Sequence, residues 1–192
     1  EGVDSLPSKA LRLDLLLGLM GALYYQLALG EIAALEAPVR TLLAEVGAPG
    51  QRIRFFGLLN EMAVIRERYR LSTGTVALSR NALRAAEGAG DLWQIAHLRF
   101  GLGFNLLWHS DLNGAEPVLH AALTEAQQLN DQWRQMQCLV YLTILHRLQG
   151  DVAGVELRLS QLEATGQSAC SPFYQAVLHA NSAWLQHRNG RF

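Results

Sequence analysis

Apolar residues in this chain recur at spacings of three and four over long stretches, as at Leu98, Leu102 and Leu106, or Leu139, Leu142, Leu145 and Leu148. Such spacing returns side chains to one face of a 3.6-residue helix and does not fit the alternation of a half-buried strand. The runs are separated by short stops such as Gly47-Ala48-Pro49-Gly50 and Gly88-Ala89-Gly90, which carry the residues that end helices. The pattern predicts helices over about 8–29, 31–47, 50–70, 73–88, 91–109, 112–129, 131–149, 151–165 and 171–188. The fold class is therefore all-α.

The pattern also repeats. Asp91, Trp93, Asp111, Gly114 and Glu116 return 40 positions later, without a gap, as Asp131, Trp133, Asp151, Gly154 and Glu156. One period implies one repeated structural unit, so the chain reads as an array of antiparallel helical hairpins, about four and a half of them. Sliding the frame along the chain aligns Gly30, Arg70, Ser110, Gly150 and Gly190 in one turn column, and Ala34, Gly74, Gly114 and Gly154 in another. Two further columns, Leu13, Ile53, Trp93, Trp133, Phe173 and Tyr24, Val64, Phe104, Ile144, Trp184, are apolar throughout. The first of these is expected to pack inside the array.

Helix starts carry capping residues. Asp91 with Gln94 three positions on, Asp131 and Asp151 can each accept a bond from an otherwise unpaired backbone N–H, and Ser171 before Pro172 gives the same signal. Two prolines oppose the scheme. Pro38 and Pro117 fall inside predicted helices, where the ring removes a donor and crowds the preceding turn, so those helices are expected to start later or to kink.

Composition narrows the function classes. Half of the 192 residues are hydrophobic and 17% charged, enough for a core and too apolar for disorder. Sixteen basic residues against 17 acidic ones, with no basic stripe, argue against direct binding to nucleic acid. The most apolar run, Leu13 to Leu29, is broken by Asp14, two glycines and Gln26 and falls short of a bilayer span, so it reads as a buried helix and no membrane partner is expected. Cys138 and Cys170 have no metal or disulfide spacing and read as reduced thiols of a cytoplasmic protein. The chain begins at Glu1 and stops where a fifth hairpin would need its second helix, which reads as a piece of a longer protein. The uncapped end near Trp184 and Phe192 is then a surface on which a second copy could pair.

Chemistry-bearing motifs are missing from the sequence. Gly101-Leu102-Gly103 lies inside a helix without a following Gly-Lys-Ser/Thr, so its glycines are read as letting two helices approach closely. The histidines at 97, 109, 120, 146, 179 and 187 form no His-x-x-x-His or His-x-Glu pair, and are read as solvated or packing residues with no metal expected. No nucleophile signature surrounds either cysteine, and no Gly-x-Ser-x-Gly occurs. No catalytic residue and no cofactor follow from the residues.

With its hairpins laid out, the chain resembles the tetratricopeptide repeat superfamily. Leu102-Gly103, Asp111, Ala115 and Ala122-Leu123 stand at the family's characteristic steps, and Leu142, Gly150-Asp151, Leu159 and Leu162 repeat part of the set. The period of 40 exceeds the family's usual value of about 34, as in the longer-period arrays attached to bacterial signalling ATPases, ATP-dependent transcription activators and nucleotide cyclases. The resemblance implies an α-α superhelix and a non-enzymatic region that binds a protein or peptide partner and regulates the larger protein. It also implies a concave wall built from the first helix of each hairpin, which on this chain selects Tyr24, Asn60, Val64, Glu67, Arg68, His97, Phe100, Phe104, Trp108, Ile144, Arg147, Trp184, His187 and Arg188. Aromatics beside arginines can stack on and pair with a peptide. A small-molecule effector bound in that wall is the alternative ligand.

Overall fold

The structure is a computed structural model that describes residues 6–164 and 172–190. Among the described residues there are nine α-helices and no strand: α1 (Leu6–Tyr25), α2 (Leu29–Val46), α3 (Pro49–Glu67), α4 (Thr73–Ala89), α5 (Leu92–Trp108), α6 (Leu112–Gln128), α7 (Gln132–Gln149), α8 (Val152–Ala164) and α9 (Pro172–Arg188). Each coincides with a helix expected from the apolar spacing. The predicted cap Ser171 lies outside the described residues.

Two compact units divide the chain, residues 1–98 and 99–192, with the boundary inside α5. In the first unit α1 packs on α2 and on α3, and α3 packs on α4. In the second, α7 lies against α6, α8 and α9. Consecutive helices thus pair in chain order, and α1 on α3 or α7 on α9 repeats that pairing at the next hairpin, the arrangement of α-α superhelical folds.

The turns explain the repeat. After α5, α6 and α7 the chain passes through one left-handed residue, Ser110 (φ 67°), Asn130 (φ 54°) or Gly150 (φ 75°). Each is followed by an aspartate whose backbone N–H reaches back to the last turn: Asp111 to Leu106 O, Asp131 to Ala126 O and Asp151 to His146 O, at 2.9–3.0 Å. With the bonds from Ser110, Asn130 and Gly150 to Leu107, Gln127 and Arg147, these are Schellman ends. The same aspartate then caps the next helix, its Oδ1 accepting from Gly114, Arg134 or Gly154 N at 2.9–3.0 Å. Asp91 does likewise for Gln94 N at 3.1 Å, behind Gly90 at φ 75°. The turn column therefore has a physical basis in its later repeats. In the earlier ones the left-handed residues are Leu27, Arg68 and Tyr69, not Gly30 and Arg70.

Both prolines sit within unbroken helical spans, since α2 begins at Leu29 and α6 at Leu112. The expected later starts do not occur. Pro38 and Pro117 lie on exposed faces, and Ala34 and Asn113, whose carbonyls lose their partners, are exposed as well, so water can replace the missing bonds.

The core of the first unit gathers Leu13, Leu17, Met20 and Leu23 of α1 with Ile32, Val39, Leu42 and Leu43 of α2 and Phe55, Leu59 and Met62 of α3. The opposite face of α1 is apolar too, and exposed, at Leu11, Leu15, Leu19 and Tyr25. The run read as a buried helix is therefore buried on one side only. In the second unit α7 is the central element: the nine residues from Cys138 to His146 are all buried. A helix enclosed on every side needs no polar face, which is why no amphipathic stripe marks it. No helix among the described residues is long and apolar enough to cross a membrane.

The packing column is real at Leu13 and Ile53 and fails at the tryptophans. Trp93 is 56% exposed and Trp133 48%, the latter resting edge-on against Tyr174. Both occupy the first turn of their helices, beside the solvated turns, where the hairpin interior is not yet closed. The side chain of Phe173 lies outside the described residues.

A Cβ on Gly103 would stand 2.7 Å from the Cγ and Cδ2 of the fully buried Leu119, whereas one on Gly101 would meet nothing within 4 Å. Gly103→Ala should cost about 1–3 kcal/mol, and Gly101→Ala should add about 0.5–1 kcal/mol by relieving the helix of a glycine, both read from urea unfolding midpoints. Only Gly103 permits close approach. Burial pushes the Cys138 thiol up to about 12, so about one molecule in ten thousand is a thiolate at pH 8. A Cys170→Ser variant should show no reaction with a disulfide reagent until it is unfolded.

Candidate functional site

Three helices that begin successive hairpins, α1, α3 and the first part of α5, line a cleft of ≈ 270 Å³ in the first unit. Its apolar wall comes from Leu17, Ile53, Leu58 and Leu98, and its polar edge from Tyr24, Arg54, Glu61, Gln94 and His97. Tyr24 and His97, two of the candidate wall residues, both line it. Arg54 and Gln94 are not among those candidates. Loss of hydration between the cleft walls raises the Glu61 carboxyl above its ordinary value, with a hydrogen bond from the Tyr24 hydroxyl pulling the other way. Tyr24 is raised in turn, first by burial and then by the neighbouring carboxylate.

The remaining wall candidates of the first unit do other work. Asn60 Oδ1 accepts from Ser79 Oγ at 3.0 Å and so ties α3 to α4 inside the hairpin. Glu67 accepts from the backbone N–H and hydroxyl of Ser72 at 2.6 and 2.7 Å, bracing the turn into α4. Arg68 is the left-handed residue that ends α3, and Val64 is half-buried on the same helix.

In the second unit Phe100, Phe104 and Trp108 form a ladder along one side of α5, with centroids 6.4 and 6.2 Å apart. The Tyr141 ring of α7 closes on it, 5.6 Å from Phe100 and 5.0 Å from Phe104, and the Arg134 guanidinium covers Phe100 at 5.1 Å. Phe100 is only 8% exposed and Ile144 is buried as well, so neither faces a groove as the wall assignment expects. The rings that could have received a ligand are used to pack α7. Phe104, Trp108 and Arg147 are half-buried. Trp184 carries Arg188 over its ring at 5.8 Å, a pair along a single helix, and His187 is exposed beside them.

A polar cluster that no motif in the sequence announces lies where α6, α7 and α8 meet. Glu116 and His120, four residues apart on α6, face His146 in the last turn of α7. Asp151 Oδ2 stands 3.1 Å from His146 Nδ1, Gln149 Nε2 donates to Glu116 Oε2 at 3.1 Å, and Arg158 Nη2 lies 3.1 Å from His120 Nε2. Burial first, and then the Arg158 charge, hold His120 below its ordinary value. The signal that could have found this cluster is the Glu-x-x-x-His spacing of α6, which places a carboxylate and an imidazole on one helix face.

No protein-family model matches the sequence, and a search of curated proteins finds no match.

The cleft chemistry makes a measurable prediction. A carboxyl raised in the folded state favours folding while it is protonated, so its contribution is full below the unfolded value, about 4.3, and is lost as pH rises through the folded one. Glu61→Gln keeps an acceptor for Tyr24 and carries no charge. It should raise the melting temperature at pH 7.5, and that gain should disappear in scans at pH 4.

Proposed function

We propose that the chain is a non-enzymatic, tetratricopeptide-like interaction region that regulates a larger bacterial signalling or transcription-regulatory protein by holding an extended peptide of a partner protein. The observation that carries this reading is the cleft formed by α1, α3 and the start of α5. It is lined by first helices of successive hairpins and combines an apolar wall with one residue of each charge, Arg54 and Glu61. Such a lining complements an extended peptide that presents an apolar side chain between a basic and an acidic residue. Its volume of ≈ 270 Å³ lies below the range of about 300–1,000 Å³ usual for whole small-molecule ligands. A side chain fits that space better than a metabolite does.

A peptide array screened with the purified chain, followed by calorimetry on the hits, tests the reading. Extended peptides of mixed charge should bind. Tyr24→Ala and Arg54→Ala should each weaken binding by about tenfold, a loss of about 1.4 kcal/mol, while Arg147→Ala on the second unit leaves it unchanged. Binding indifferent to both cleft substitutions would overturn the assignment. So would a chain that ignores peptides and is stabilised by a metabolite instead.

A further inference from the structure

We propose that Glu116, His120 and His146 form a binding site for one divalent transition-metal ion of the zinc class, bridging α6 to α7. One donor atom from each of the three lies within 4.8 Å of the other two. Donors held 2.0–2.1 Å from a tetrahedral ion stand roughly 3.4 Å apart, so closure requires a movement of little more than an ångström. Glu116 and His120 are half-buried and can supply it by side-chain rotation.

His146 is the second, independent observation. The residue is 6% exposed, and both its ring nitrogens, Nε2 and Nδ1, are buried without a hydrogen-bond partner among the described residues. Leaving such an atom unsatisfied costs about 1–3 kcal/mol, and an ion at Nε2 removes that cost. Asp151 Oδ2 lies 3.1 Å from Nδ1, near enough for a small rotation of the ring to complete the carboxylate–imidazole contact usual for histidines that hold metals while Nε2 takes the ion. Gly154 makes room for it, since a Cβ at that position would stand 2.6 Å from His146 Cγ and Nδ1.

The donor set selects the ion. Two imidazoles and one carboxylate suit zinc, cobalt or nickel, whereas calcium and magnesium demand oxygen. Three protein donors leave a fourth position for water. Arg158 Nη2, 3.1 Å from His120 Nε2, competes with an ion for the lone pair of that imidazole and opposes the charge of the ion. Arg158 therefore moderates affinity and does not abolish it.

The test uses the full chain without an affinity tag, dialysed against zinc in the presence of a competing chelator, with metal measured by mass spectrometry and the cobalt form by visible absorption. About one equivalent should bind, and the melting temperature should rise with metal concentration. His120→Gln and His146→Gln should each lower affinity at least tenfold, and His179→Gln on the exposed face of α9 should leave it unchanged. Asp151→Asn keeps the helix cap, since asparagine caps as well as aspartate, yet should weaken the metal by about 10–100-fold. Arg158→Met should tighten it. Equal uptake by the wild type and the folded Asp151→Asn and His120→Gln variants would overturn the site, as would the absence of any stoichiometric uptake by the wild-type chain.

Discussion

The second half of this fold depends on one small constraint: an aspartate must follow a left-handed residue at the end of a helix. That residue turns the chain through its sharpest angle, the aspartate N–H closes the old helix, and its carboxylate opens the new one. Two helix ends, each with unpaired backbone groups, are completed by a connection of two or three residues. So short a link leaves the two helices little choice except to lie side by side. Gly114 and Gly154 belong to the same device, because the capping carboxylate occupies the space that a Cβ on either would fill. Where the aspartate is missing the turn is built otherwise: Leu27 and Ala28 offer no side-chain cap to α2, and Ser72 braced by Glu67 serves α4.

Around these turns the second unit closes on α7. A helix buried over nine consecutive residues has to accommodate whatever polar groups it carries. Thr143 does so by donating to Leu139 O within its own helix at 2.8 Å. Arg134, near the outer end, lays its guanidinium on Phe100 and gains from the ring face what it loses in hydration. Tyr141 fills the angle between the rings of α5, so the aromatic ladder works mainly as packing. The contrast with α1 is instructive, since that helix is the more apolar of the two and yet buries only one side, with Tyr25 left 88% exposed.

How much of this was legible follows from what each signal measures. The spacing of Leu98, Leu102 and Leu106 reports a helix directly, and the 40-residue return of Asp-x-x-Gly-x-Glu reports the turn chemistry, so elements and hairpin order could be read. Sidedness could not. An apolar column says that large side chains recur, and Leu13, two turns into its helix, is enclosed while Trp93, in the first turn of its own, is 56% exposed. The wall assignment met the same difficulty. Tyr24 and His97 line a cleft, while Asn60 turns inward to Ser79 and Phe100 disappears beneath Arg134, differences set by rotation about the helix axis that a repeat register does not specify. The polar cluster escaped because its pieces come from three helices, and spacing along the chain relates only residues close in sequence.

The turn device also shows why the cluster is unusual. Four residues before the left-handed position, the chain places Ala86, Leu106, Ala126 and His146, all of them buried. This position lies under the cap, with the carbonyl that receives the returning aspartate N–H in the last three cases. Three times it is filled by an aliphatic side chain, as a closed interior demands, and the fourth time by an imidazole whose burial has an energetic cost. The cap itself is unchanged at that turn: Asp151 uses Oδ1 for Gly154 N just as Asp111 uses it for Gly114 N, leaving Oδ2 available to the imidazole. Packing therefore gives no reason for the histidine, since leucine and alanine satisfy the same turn elsewhere. A polar residue that breaks a local rule kept by its three counterparts, while facing a carboxylate and a second imidazole, is better explained by a ligand than by the fold.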